Sequence, residues 1–128
     1  MYYNKVVDDT IEGLVDICLA DLKCASSKCS KALLGVGDYF ETARDSILRA
    51  NEHSDVIVRH LVMPGHIECC LKPTLNWLKE NLPGIRLSLR TNYIPPAEST
   101  HAPAGYLGED EANEAIALAK ESGLKLIV

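Results

Sequence analysis

Long apolar runs are missing from this sequence. None approaches the roughly 18 residues that a membrane-spanning helix needs, so no membrane partner is expected. Concentrated positive charge is missing as well. The formal net charge is −5, both signs are interspersed, and no cluster of Lys and Arg exceeds two neighbours, which leaves no footprint for a nucleic acid. Aromatic residues make up only 5% of the chain, too few for a base-stacking platform. There is no paired C-x2-C zinc pattern either. The five cysteines are Cys18, Cys24, Cys29, Cys69 and Cys70. Their odd number, and an N-terminal stretch without the apolar core of a signal peptide, argue against a disulfide framework. A cytoplasmic location is the expectation. The 128 residues suit one domain (1–128) with a real core.

What is present centres on Val56-Ile57-Val58-Arg59-His60-Leu61-Val62-Met63-Pro64-Gly65. Three β-branched residues open it and Pro-Gly, a strong turn signal, closes it. Such a run reads as a strand covered on both faces, as in a parallel sheet flanked by helices. Side chains alternate between faces, so Arg59 sits with Ile57, Leu61 and Met63, and His60 with Val58 and Val62. An unpaired buried guanidinium is strongly unfavourable. Arg59 therefore needs an anion, either a carboxylate from a neighbouring strand or a ligand at the strand's C-terminal end.

In chain order, Tyr2 and Tyr3 read as a strand stub ending at Asn4, and residues 8–14 as one helical turn closed by Gly13. Residues 15–23 read as a strand whose odd positions run from Val15, Ile17 and Leu19 to Asp21 and Lys23. Residues 26–34 form a short helix broken by Gly35. Asp38 then caps a longer helix, with Glu41 completing a capping box and Phe40, Ala43, Ile47 and Ala50 as its apolar stripe. After the central strand come a helix over 72–81, with Pro73 in its first turn, and a strand over 85–89 leading into Arg90-Thr91-Asn92-Tyr93. A proline-containing loop over 94–107, a helix over 109–122 and a last strand over 125–128 complete the pattern. This alternation specifies an α/β fold with a parallel sheet and right-handed crossovers.

Working groups in such folds collect outside the carboxyl ends of the strands. Those ends carry Asn4, then Asp21 and Lys23, then Arg59, then Asn92 and Tyr93. They suit a ligand with both carboxylate and amine, and equally an internal ion-pair network of Asp21, Lys23 and Arg59. His60 is expected as a hydrogen-bonded core residue, and His53 and His101 as solvated loop residues. His66, Cys69 and Cys70 form one conceivable metal group, and Cys18, Cys24 and Cys29 another. Cys18 points off the Asp21 face, and adjacent Cys69 and Cys70 aim poorly at one ion. No metal ligand and no catalytic residue is assigned.

Ala20-Asp21-Leu22-Lys23, the stretch from Ile57 to Gly65, and the strand ending Asn92-Tyr93 resemble the later strands of radical S-adenosylmethionine proteins. They are similar in particular to the pyruvate formate-lyase activating enzymes and their homologues. The resemblance implies the C-terminal portion of a partial TIM-like (β/α)6 barrel. It also implies S-adenosylmethionine, reductively cleaved at a [4Fe–4S] cluster, as the cofactor. On the same basis Asp21 belongs to the polar cradle near the methionine carboxylate or its counter-ion. Lys23 and Arg59 project toward S-adenosylmethionine or substrate, Asn4 ends the preceding strand near the methionyl moiety, and Asn92 or Tyr93 approaches the nucleoside.

The sequence departs from that family in lacking its C-x3-C-x2-C cluster loop and its Gly-Gly-Glu segment. Its own cysteines are spaced C-x5-C-x4-C and C-C. The expectation is a truncated barrel, inactive alone, whose [4Fe–4S] cluster belongs to a full-length relative or to a partner supplying the N-terminal half. The alternative is a non-catalytic α/β module that binds an anion or self-associates. A homodimer is the expected assembly, because Ile17, Leu19, Ile57, Leu61, Leu87 and Leu89 are read as an uncovered inner face.

Overall fold

The computed structural model describes residues 4–98 and 101–127. Four strands, β1 (Ile17–Asp21), β2 (Asp55–Leu61), β3 (Arg86–Arg90) and β4 (Lys125–Ile127), pair in the order β1-β2-β3-β4, and every pairing is parallel. The expected α/β class, a parallel sheet with flanking helices, is what these residues form. The expected stub at Tyr2 and Tyr3 and the terminal Val128 lie outside the described residues.

A sequential order with right-handed crossovers returns each helix to the same side of the sheet, and the burial pattern agrees. In β2, Val56, Val58 and His60 are buried while Ile57, Arg59 and Leu61 are only partly so. The central strand is thus covered fully on one face, not on both as its apolar run suggested. Register assigns the rest: Val58 pairs with Leu87, His60 with Leu89 and Arg59 with Ser88. Leu87 and Leu89 therefore belong to the helix side, and Leu87 is fully buried there. This corrects their placement on the inner face. That face carries Ile17 and Leu19, which are 58% and 52% exposed, beside Ile57 and Leu61.

The helices follow from local signals. In α1 (Lys5–Ile11) the Asn4 side chain accepts from the Val7 N–H. Asp8, buried, takes the Arg49 Nε–H at 3.0 Å and ties α1 to α3. In α2 (Ser27–Leu34) Ser26 caps the Cys29 N–H, and Gly35, at φ 72°, closes the helix in a left-handed conformation that β-carbon sterics deny most residues. In α3 (Tyr39–His53), Ala43, Ile47 and Ala50 are buried as expected. Asp38 stands at its N-cap without a side-chain capping bond, so the capping box does not form. His53 ends α3 within 3.7 Å of Glu12, rather than lying free in a loop. A helix α4 (Lys72–Asn81) and a helix α5 (Glu109–Glu121) complete the layer.

Directly before α4, Ile67–Leu71 forms a π-helical turn that no periodicity indicated. Pro73 gives a physical reason. A proline ring collides with the carbonyl four residues back, here that of Cys69, and widening the turn relieves the collision. The Leu71 N–H reaches the His66 carbonyl at 3.2 Å in consequence. Upstream, Met63-Pro64-Gly65-His66 forms a turn with Gly65 at φ 76° and the His66 N–H on the Met63 carbonyl at 3.1 Å. The Gly65 N–H in turn donates to Glu111 Oε1 at 2.7 Å, anchoring α5 to the end of β2.

Candidate functional site

Residues at the carboxyl ends of β1, β2 and β3 line an open cavity of about 400 Å³: Asp21, Lys23, Arg59, Leu61, Arg90 and Asn92. Parallel register produces this grouping. Asp21 is paired with Arg59 and, two residues further along the strands, Leu61 with Arg90, so side chains from three strands leave the same face at two successive levels. The anion that Arg59 required is Asp21. The guanidinium donates through Nε at 2.6 Å to Oδ1 and through Nη2 at 3.1 Å to Oδ2, the two-pronged geometry that suits carboxylates. Lys23 Nζ stands 3.6 Å from the same carboxylate. Partial burial pushes the Asp21 carboxyl up, but the Arg59 hydrogen bonds and the charges of Arg59 and Lys23 outweigh it and hold the group below its ordinary range.

Tyr39 fixes the end of β1. Its hydroxyl donates to the Asp21 carbonyl at 3.2 Å and accepts the Lys23 N–H at 3.1 Å. Burial pushes its pKa up to about 12, so it stays a neutral brace. Three cations thus face one carboxylate across the cavity, a surplus that favours an anionic ligand. Two of the expected site residues are elsewhere. Asn4 ends no described strand: its side chain is engaged as the N-cap of α1. Tyr93 is buried, and its hydroxyl donates to the Pro103 carbonyl at 2.8 Å, tethering the proline-containing loop. His60 is the expected core histidine, 1% exposed, with Nδ1 2.6 Å from the Leu22 carbonyl.

A second group lies in the segments that follow β1 and β2. Cys29 of α2 meets His66, Cys69 and Cys70 of the π-helical turn, with all four potential ligand atoms within 4.8 Å of one another. Cys69 Sγ is 3.3 Å and Cys70 Sγ 3.7 Å from His66 Nδ1, and the two sulfurs are 3.8 Å apart. Such a group can hold a metal ion. The geometric objection made from sequence therefore fails. Adjacent Cys69 and Cys70 do aim at one point, and the ligands come one from the first cysteine group and three from the second. Burial and the neighbouring Cys29 thiol push Cys69 up to about 12, because crowded thiols resist ionising together when no cation is near.

No protein-family model matches the chain. It is 30% identical, over 129 aligned residues, to an uncharacterized protein of Methanocaldococcus jannaschii. That alignment takes in 99% of this chain and 38% of the relative, so the chain spans well under half the length of the curated protein it matches.

Two features of the site escaped sequence reading. Arg90 belongs to the cavity, and strand parity held the signal: Arg86, Ser88 and Arg90 share the face that pairs with Ile57, Arg59 and Leu61. Cys29 joining His66, Cys69 and Cys70 had no local signal beyond the i, i+3, i+4 spacing of the last three. Their union depends on α2 packing beside the π-helical turn.

Proposed function

We propose that this chain supplies the later strands of a radical S-adenosylmethionine-type barrel, and that the cavity above β1, β2 and β3 receives the amino-acid end of S-adenosylmethionine. The observation that supports the reading is the convergence of Asp21, Lys23, Arg59, Arg90 and Asn92 on one rim, on the sheet face opposite the helices. The donor set fits that group. Arg90 and Lys23 can meet a carboxylate, Asp21 can meet an ammonium, and the Asp21 pair holds Arg59 in a fixed orientation. When bound, S-adenosylmethionine would supply the adenosyl group that this family cleaves reductively. The residues of this chain do not fit the radical-generating [4Fe–4S] cluster. The C-x3-C-x2-C loop is absent from the sequence, and none of the five cysteines lines the cavity. The chain by itself is therefore assigned binding and orientation, not the radical step.

The exposed Ile17 and Leu19 lie on the same face as the cavity and support a covering partner. The remainder of a barrel is the occupant we favour, since the archaeal relative is long enough to contain more than this chain spans. A second reading, a non-catalytic anion-binding module, draws on the Asp21–Arg59 pair, which is satisfied without any ligand. Calorimetric titration with S-adenosylmethionine, methionine and inorganic phosphate separates the two. S-adenosylmethionine binding that weakens about tenfold or more in Arg90→Met, the loss of one charge-assisted contact, is the expected result. Binding of phosphate alone would favour the module, and binding of none would leave a purely structural network.

A further inference from the structure

We propose that Cys29, His66, Cys69 and Cys70 form a closed, mononuclear zinc site that clamps the segment after β1 to the segment after β2. The geometry carries the assignment. Zinc bonds of ~2.3 Å to sulfur and ~2.0 Å to nitrogen at a tetrahedral angle put two sulfurs ~3.8 Å apart, and sulfur and nitrogen ~3.5 Å apart. Cys69 and Cys70 stand at 3.8 Å, and His66 Nδ1 stands 3.3 and 3.7 Å from them. The whole group fits within 4.8 Å, so Cys29 needs to shift by no more than about 1 Å to complete a tetrahedron. Three thiolates and an imidazole are ligands for zinc rather than for magnesium or calcium. A four-iron cube sits between its cysteines and holds them farther apart than this cage allows.

One feature of the fold beyond the distances supports the site. The π-helical turn Ile67–Leu71 brings consecutive cysteines to one point, and such turns recur at functional positions. Binding releases three thiol protons to solvent and leaves His66 neutral, with Nδ1 on the metal. All four positions being filled by protein, the ion is structural. It braces the rim on which Lys23, one residue before Cys24, faces the cavity.

The test uses the full chain, purified without chelator and analysed for zinc, then stripped and titrated with Co²⁺. We expect one equivalent of zinc. We also expect a cobalt form with the intense visible bands of a tetrahedral site and near-ultraviolet thiolate-to-cobalt charge transfer, both abolished when Zn²⁺ displaces Co²⁺. Cys29→Ser and Cys69→Ser should lose that spectrum, and Cys18→Ser, outside the group, should keep it. Should the ligand variants fail to fold, the wild-type cobalt spectrum still decides. A pale octahedral spectrum, no binding, or retention of the tetrahedral bands in folded Cys69→Ser overturns the proposal. Iron with acid-labile sulfide in the purified protein overturns it as well.

Discussion

At the scale of single residues, two titrating groups tie stability to pH in separate windows. His60 is buried, and burial lowers its pKa to about 4, against ~6.5 for an unfolded imidazole. Between those values the unfolded chain binds a proton that the native chain refuses. Stability is therefore complete above about pH 6.5 and falls as pH drops toward 4, by about 3 kcal/mol in all. Urea unfolding across that range is expected to show the slope, and the His60 ring resonances should stay those of the neutral Nδ1–H tautomer down to about pH 5. Asp21 acts lower. Its folded pKa is depressed, so its contribution is present above the ordinary carboxylate value and disappears as pH falls through the folded one. Because Asp21 and Arg59 form one bidentate unit, Asp21→Asn and Arg59→Met should each lower Tm, and the double variant should lower it by less than their sum. Simple additivity in a thermal-melt cycle would mean that the pair is not coupled.

At the scale of elements, the junction between β2 and α4 concentrates the demands that the chain meets locally. Pro64 and Gly65 turn the backbone, the π-helical turn runs directly into α4 with Pro73 in its first turn, and Glu111 holds the Gly65 N–H from α5. A β-carbon at residue 65 meets no neighbour, so its cost there is backbone strain alone. Gly65→Ala should destabilise the fold by about 1 kcal/mol, and Glu111→Ala by about 1 kcal/mol or less, since that bond is solvent-exposed. Both are measurable as shifts in urea midpoint. A Gly65→Ala effect several times larger would mean that the turn is coupled to the Cys69–Cys70 cage, which follows it directly.

At the scale of the whole molecule, the sheet has one face under helices and one that carries Ile17, Leu19 and the polar cavity. Covering an exposed aliphatic side chain stabilises by roughly 1.5–3 kcal/mol, so covering this face would be favourable. The isolated chain is expected to self-associate at micromolar concentration and to bind an apolar dye, and Leu19→Lys should suppress both without lowering Tm. Sedimentation of the two proteins checks this. A wild-type monomer that binds no dye would remove the case for a covering partner. Among the described residues no helix is long and apolar enough to cross a membrane.

Local chemistry in the sequence determined the element order and the strand–helix alternation. It also determined the need of Arg59 for an anion and the inward, hydrogen-bonded role of His60. Each of these rests on period, caps, turn residues or the cost of burying charge, which act over a few residues. Cross-strand register was not readable. It alone decided that Asp21 answers Arg59, that Arg90 stands beside Leu61, and that Leu87 and Leu89 turn toward the helices. One residue of register reverses every face assignment in a strand, and nothing inside β3 specifies which neighbour it meets. The Cys/His cage shows the same limit more sharply. Spacing along the chain kept Cys29 apart from Cys69 and Cys70, and only the packing of α2 beside the π-helical turn brought their sulfurs together.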